Sequence, residues 1–213
     1  MPKISLSASA LSKSFGRRNI FSDLTFSVQE GNALAITGSN GSGKSTMLKI
    51  LAGLLTPTRG KVDLILDNRS IKTADCFSYL GYVAPYLQLY DEFTGLENLQ
   101  IFRHIRGVDV RDDSIFELLK HVGLLSRKDD FVRTYSSGMK QRLKYAFALL
   151  HQPPVLVLDE PASNLDREGI STIYDIMQRQ KERGILIIAT NDPGDLKFCD
   201  QVINLEPSAG GRT

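Results

Sequence analysis

The sequence predicts an α/β fold, in which a mostly parallel sheet is joined by an antiparallel β subdomain and interrupted by an inserted block of helices. Three observations carry this. The apolar runs at 33–37 (ALAIT), 155–158 (VLVL) and 185–189 (ILIIA) have the length and unbroken hydrophobicity of parallel strands buried on both faces. Segments of helical period alternate with such runs at both ends of the chain, as the crossovers of a parallel sheet require. Residues 23–28 (DLTFSV) instead alternate polar with apolar, the pattern of a half-exposed antiparallel strand.

Taken in order, residues 3–15 alternate loosely and pair with 23–28 across the turn Gly16-Arg17-Arg18-Asn19. The run 33–37 ends in a Gly-rich loop, and residues 44–55 then repeat Met47, Leu48, Leu51, Leu54 and Leu55 at helical spacing. Residues 61–66 and 77–83 are further strand candidates. Helical spacing at 96–105, 112–122 and 138–150 makes residues 85–151 a helical subdomain, which Pro153-Pro154 ends. The strand at 155–158 leads to a helix over 167–182, the strand at 185–189 and a weaker one at 201–205. The tail, 207–213, is small and polar and is expected to fray. Residues 1–213 thus read as one domain, with a core of 1–84 and 152–213 flanking the insertion. No internal repeat is visible.

Composition excludes several classes. Lys plus Arg total 26 against 24 Asp plus Glu, a net charge of +2, so there is no broad basic field for nucleic acid or anionic lipid. Cys76 and Cys199 are too few for a disulfide framework and lack metal-ligand spacing, which suits a reducing compartment. The first twenty residues are polar and Ser-rich, and no later stretch approaches the roughly 18 apolar residues that a span requires. A soluble, cytoplasmic chain is expected, with any membrane span supplied by a separate chain.

The Gly-rich loop is chemically specific. Gly38-Ser39-Asn40-Gly41-Ser42-Gly43-Lys44-Ser45-Thr46 fits G-x-x-x-x-G-K-[ST] between a strand and a helix, the context of the P-loop. Glycines let successive N–H groups and the helix N-terminus face phosphates. Lys44 adds a point charge at the β- and γ-oxygens, and Ser45 offers a hydroxyl to Mg²⁺. The distal carboxylate such a loop needs follows the buried run 155–158: Asp159 for the metal, and Glu160 as the candidate base for an attacking water.

A third segment points to a family. Tyr135-Ser136-Ser137-Gly138-Met139-Lys140-Gln141-Arg142 precedes a helix and resembles the signature motif of ABC transporter ATPases, usually L-S-G-G-Q. The resemblance implies a P-loop NTPase with a RecA-like core, binding ATP and Mg²⁺. It also implies a head-to-tail homodimer in which Ser136, Ser137 and Gly138 grip the γ-phosphate bound to the opposite subunit. Ser163-Asn164-Leu165-Asp166 is similar to the D-loop at that dimer seam, and Phe15 stands where an aromatic stacks on adenine. The partner implied is a transmembrane permease, with the chain peripheral on the inner face of the cell membrane. The Y-S-S-G-M form and short chain resemble exporter ATPases.

Two positions depart from the pattern. In Gly81-Tyr82-Val83-Ala84-Pro85 the usual Gln is replaced by Pro85, with Gln88 as a substitute only if the loop path differs. In Ile188-Ala189-Thr190-Asn191-Asp192 the switch histidine is Asn191, which can donate to a γ-phosphate oxygen but carries no charge. Slower turnover would follow. A degenerate cassette that binds ATP with little hydrolysis is therefore an alternative, and a soluble ABC protein without a transport role is a separate one. The loop 86–93 (YLQLYDEF) has the aromatic density of a permease-docking surface, unless it packs its own subdomain. His104, His121 and His151 read as structural or surface residues.

Overall fold

A computed structural model describes residues 3–205; the tail expected to fray lies outside the described residues. The chain opens with the long strands β1 (Ile4–Phe15) and β2 (Arg18–Gln29), followed by β3 (Ala33–Thr37), α1 (Lys44–Leu51), β4 (Arg59–Leu66) and β5 (Arg69–Ile71). After a 3-10 turn (Thr73–Ser78) come β6 (Leu80–Val83), α2 (Gly95–Arg106), α3 (Asp112–His121) and α4 (Ser137–Leu149). The chain then returns to the sheet through β7 (Val155–Asp159), α5 (Arg167–Arg183), β8 (Ile185–Ala189), α6 (Pro193–Leu196) and β9 (Gln201–Asn204).

Two sheets form. The antiparallel one has the order β2-β1-β4-β5, and the parallel one the order β6-β7-β8-β3-β9. Period-two geometry divides the side chains of the parallel sheet between two cores. Leu34, Ile36, Val157 and Ile187 face α1 and the antiparallel sheet, while Ala33, Ala35, Leu158 and Ile188 face the layer of α2 to α5. Both faces are covered, which is why these strands read as unbroken apolar runs, and each fully buried leucine contributes about 1.5–3 kcal/mol. The helical insertion starts sharply, because Thr94 and Glu97 form a reciprocal capping box ahead of α2.

Three expectations need correction. The strand predicted at 77–83 begins only at Leu80, because its partner β7 starts at Val155 and the preceding Pro153-Pro154 has no N–H groups to extend the ladder. The helix predicted to residue 55 stops at Leu51, where Gly53 turns at φ +72° and Leu54 is left 63% exposed. The predicted four-residue turn shrinks to Gly16-Arg17, since Phe15 already pairs with Arg18. Strand β5 and helix α6, with three and four residues, were too short to be signalled by periodicity.

The carboxyl ends of β3, β6, β7 and β8 lie along one edge of the parallel sheet. The loops that leave this edge build the site, where α/β sheets commonly bind ligands.

Candidate nucleotide site

The loop after β3 is folded by steric necessity at two glycines. Gly38 has φ +140° and a Cβ there would lie 2.3 Å from the Leu205 carbonyl oxygen, while at Gly43, φ +108°, it would lie 2.3 Å from Ile20 Cγ2. No larger side chain fits either place without displacement. Gly43 precedes α1 without a side-chain cap, so the first N–H groups of that helix keep their capacity for an anion. Lys44 is only 7% exposed, and its ammonium donates to Gly38 O at 2.8 Å and lies 3.9 Å from Glu160 Oε1. Ser42 Oγ is buried with no hydrogen-bond partner among the described residues, another polar atom inside the cradle.

Facing this loop, β7 ends in the two carboxylates. Burial pushes the Asp159 carboxyl up, while a hydrogen bond with Ser45 and the ammonium groups of Lys44 and Lys49 pull it down. Glu160 has φ +52°, an uncommon left-handed conformation for a non-glycine residue, and its N–H donates to Ala189 O at 2.9 Å. Burial also raises its carboxyl, opposed by Lys44 and reinforced by Asp159. The loop beyond is anchored from the helical insertion, where the buried Tyr145 hydroxyl donates to Pro161 O at 2.9 Å.

Lys44, Ser45, Thr46, Asp159 and Glu160 share the wall of a cleft of about 610 Å³, a volume suited to a nucleotide. Asn40, Gly41 and Gly43 contribute the loop side. Phe15 stands at the rim, 50% exposed, with the Lys13 ammonium 4.7 Å from its ring centroid. A hydroxyl and a carboxylate already in hydrogen-bond contact are hard oxygen donors, so Ser45 and Asp159 fit a small divalent cation.

The sequence profile of the ABC transporter family matches residues 21–163. The chain belongs to that family. Among relatives, an uncharacterized ABC transporter ATP-binding protein, YhcH of Bacillus subtilis, is 37% identical over 85% of this chain and 59% of its own length. The cytochrome c biogenesis ATP-binding export protein CcmA of Mannheimia succiniciproducens is 31% identical over 89% of this chain and 88% of its own. Several curated relatives are longer proteins, of which this chain spans 59% to 66%. In fold, an ATP-binding cassette captured as a dimer after hydrolysis, with ADP and Pi, superposes at TM-score 0.82 with 23% identity, over 97% of this chain and 98% of that one. The α/β cassette fold is thereby shown.

Within this ABC ATPase frame, Phe15, Asn40, Gly41, Gly43, Lys44, Ser45, Thr46, Asp159 and Glu160 line the cleft, whereas Gly38, Ser39 and Ser42 of the same loop, the signature residues and Asn191 do not. Ser136 caps α4 by accepting from Met139 N–H at 3.2 Å, and Ser136 and Ser137 are exposed and stand off the cleft wall. Gly138 borders the D-loop, its Cβ position lying 3.5 Å from Asn164 O. Asn191 is likewise off the cleft wall, with both of its amide atoms bonded to Gly38. Gln88 is exposed and does not reach the cleft, so it is no substitute for the missing Gln.

The structure adds residues that the sequence did not single out for the site. Arg18 lines the cleft and donates to Gly41 O at 3.4 Å. Tyr86 joins Pro85, already marked by its departure from the family pattern, in lining the cleft. The Tyr86 hydroxyl pairs with that of Tyr82 at 2.7 Å, and the Lys49 ammonium sits 4.5 Å from the Tyr86 ring centroid. Two tyrosines four positions apart around the anomalous proline were the only available signal. None of the described helices is long and apolar enough to cross a membrane.

Proposed function

We propose that this chain is the Mg-ATP-hydrolysing subunit of an ABC transporter, working as a head-to-tail homodimer on a separate membrane permease, in export. The observation that carries the reading is the convergence of Lys44, Ser45, Asp159 and Glu160 on one cleft wall. The P-loop N–H groups and Lys44 would bind the phosphates. Ser45 and Asp159 would hold Mg²⁺, which when bound offsets the charge developing on the transferred phosphoryl group. Phe15, exposed at the rim, offers its ring face to a base.

Glu160 accepts the proton of the attacking water. Lys44, 3.9 Å away, favours its ionised form, while burial raises its basicity above that of a free carboxylate. The exposed Ser136 and Ser137 and the partly buried Gly138 lie away from the chain's own cleft, which suits donation to a nucleotide on a second copy. Export is supported by the resemblance of the signature segment and by the relative whose name describes an export protein. Cytoplasmic localisation, peripheral to the membrane through the permease, follows from the same reading.

For the permease, the loop expected to dock divides in two. Leu89 packs against the helical core and Tyr86 faces the cleft, which leaves Tyr90 (50% exposed) and Phe93 (41% exposed) as the docking pair. The buried Asn98 fixes their backbone, accepting from Tyr90 N–H and donating to Tyr90 O, both at 2.9 Å.

The deciding experiment is Glu160→Gln. Hydrolysis is expected to fall by about 100-fold or more while ATP still binds and a dimer accumulates on size exclusion. Hydrolysis at the wild-type rate would mean that another group activates the water. Wild-type protein that binds ATP without measurable turnover would instead favour the alternative of a degenerate cassette, which Pro85 on the cleft wall supports because it has no side-chain oxygen to offer.

A further inference from the structure

Asn191 stands where the family pattern leads one to expect a group aimed at the terminal phosphate, but its contacts lie elsewhere. Its Oδ1 accepts from Gly38 N–H at 3.1 Å and its Nδ2 donates to Gly38 O at 2.9 Å, so one side-chain amide brackets a single backbone residue 153 positions away. The orientation of the amide is unambiguous, because a backbone N–H only donates and a carbonyl only accepts.

Gly38 is the first turn of the phosphate loop. It holds a φ of +140° against the Leu205 carbonyl, and its own carbonyl also receives the Lys44 ammonium at 2.8 Å. The direction of this one carbonyl therefore sets the resting place of the lysine. The loop that carries Asn191 is pinned on both sides: Thr190 Oγ1 donates to the buried Asp195 at 2.7 Å and accepts from Asp192 N–H at 3.0 Å. A neutral imidazole places its donor and acceptor nitrogens on different edges of a ring. A primary amide presents both from one carbon, the spacing needed to bracket one residue.

We propose that Asn191 is a positioning residue that locks Gly38 and so preorganises the phosphate loop for the α- and β-phosphates, rather than a donor to the γ-phosphate. This rests on the nucleotide reading of the cleft, and it predicts that the residue matters as much for ADP as for ATP.

The test is calorimetric titration of ADP and of ATP with Asn191→Ala and Asn191→His, alongside steady-state kinetics. The expected result is a loss of about 10-fold in affinity for both nucleotides, with KM rising more than kcat falls, and no gain in turnover from the histidine. Wild-type ADP affinity together with a reduced kcat in Asn191→Ala, or a faster Asn191→His enzyme, would overturn the proposal. Should the alanine variant not fold, amide exchange of Gly38 in the wild-type protein decides. Protection without nucleotide is expected, and exchange at the rate of an open loop amide would refute the clamp. A wild-type chain that binds neither nucleotide would sink the reading of the cleft, and the Gly38 exchange rate would still judge the clamp on its own.

Discussion

The loops after β3 and β7 and those after β6 and β8 leave the same sheet edge, yet they are built on different principles. In the first pair, the working residues are contiguous in sequence and act through what their own loop does: glycines curl the backbone, and Lys44, Ser45, Asp159 and Glu160 project into the cleft. In the second pair, Pro85 and Asn191 break the family pattern, and the side chains around them are held by other side chains and by backbone outside their own loop. Tyr86 leans on Tyr82, and Asn191 brackets Gly38. The comparison teaches that one half of this cleft is shaped by its own loop backbone and sequence-local side chains, whereas the other half is held by polar pairing between groups of different segments.

Lys44→Ala breaks the first half and carries the largest expected effect. It removes a buried ammonium from the centre of the phosphate loop, and the loss of its charge-assisted contacts to phosphate amounts to roughly 1.5–3 kcal/mol for each bond. Nucleotide binding by titration should become undetectable. Normal ATP affinity in this variant would refute the P-loop reading of the cleft.

The difference between the halves also explains what could be read in advance. A P-loop between an apolar strand and a helical segment is a local pattern, as is a carboxylate pair at the end of a buried strand, so Gly38 to Thr46, Asp159 and Glu160 were legible from the residues alone. The three central parallel strands, β3, β7 and β8, were legible for the same reason, since burial on both faces leaves unbroken apolar runs, whereas β6 was placed with the wrong start and the mostly exposed β9 gave only a weak signal. What stayed hidden depends on partners far away in sequence. Nothing local signals that Asn191 will meet Gly38, that the β6 ladder must wait for β7 to pass Pro153-Pro154, or that Arg18 at the start of β2 will reach Gly41.

A smaller effect sharpens the second half. Tyr86→Phe deletes one hydroxyl from the cleft wall and strips the half-buried Tyr82 hydroxyl of its 2.7 Å partner. The expected cost is about 1 kcal/mol of stability, with a several-fold fall in kcat, well short of the loss in Lys44→Ala. If Tyr86→Phe instead loses ATP binding as completely as Lys44→Ala, the wall after β6 belongs with the first half and the division drawn here fails.

Docking is expected to lie apart from both halves. Tyr90→Ala combined with Phe93→Ala removes two exposed rings whose backbone is held by Asn98, so the fold should survive. A pull-down should then lose the permease while titration still detects ATP. Retention of the permease by a folded double variant would place the docking surface elsewhere.

An effect on stability alone, and only in acid, lies at the other end of β6, where the helical insertion is latched to the sheet. Arg106, from the last turn of α2, donates to Phe77 O at 3.0 Å and to the His151 ring, with Nη1 2.8 Å from Nε2 and 3.2 Å from Nδ1. Either neutral tautomer has a lone pair for the guanidinium, whereas the protonated ring has none and would add a like charge beside it. Burial, followed by Arg106, accordingly lowers the His151 pKa to about 4, against a Leu80 carbonyl that raises it. The folded chain then binds fewer protons than the unfolded one between the ordinary histidine value of about 6.5 and about 4, so this contribution to stability is whole above that window and lost as the pH falls through it. Because the ring is only partly buried, the loss is about 1–2 kcal/mol rather than the full shift. Denaturant unfolding at pH 7 and at pH 4.5 measures it, with His151→Gln as the control that removes this titration. If the wild type and the variant lose stability in parallel across that window, the latch is insensitive to protonation and other groups account for the acid response.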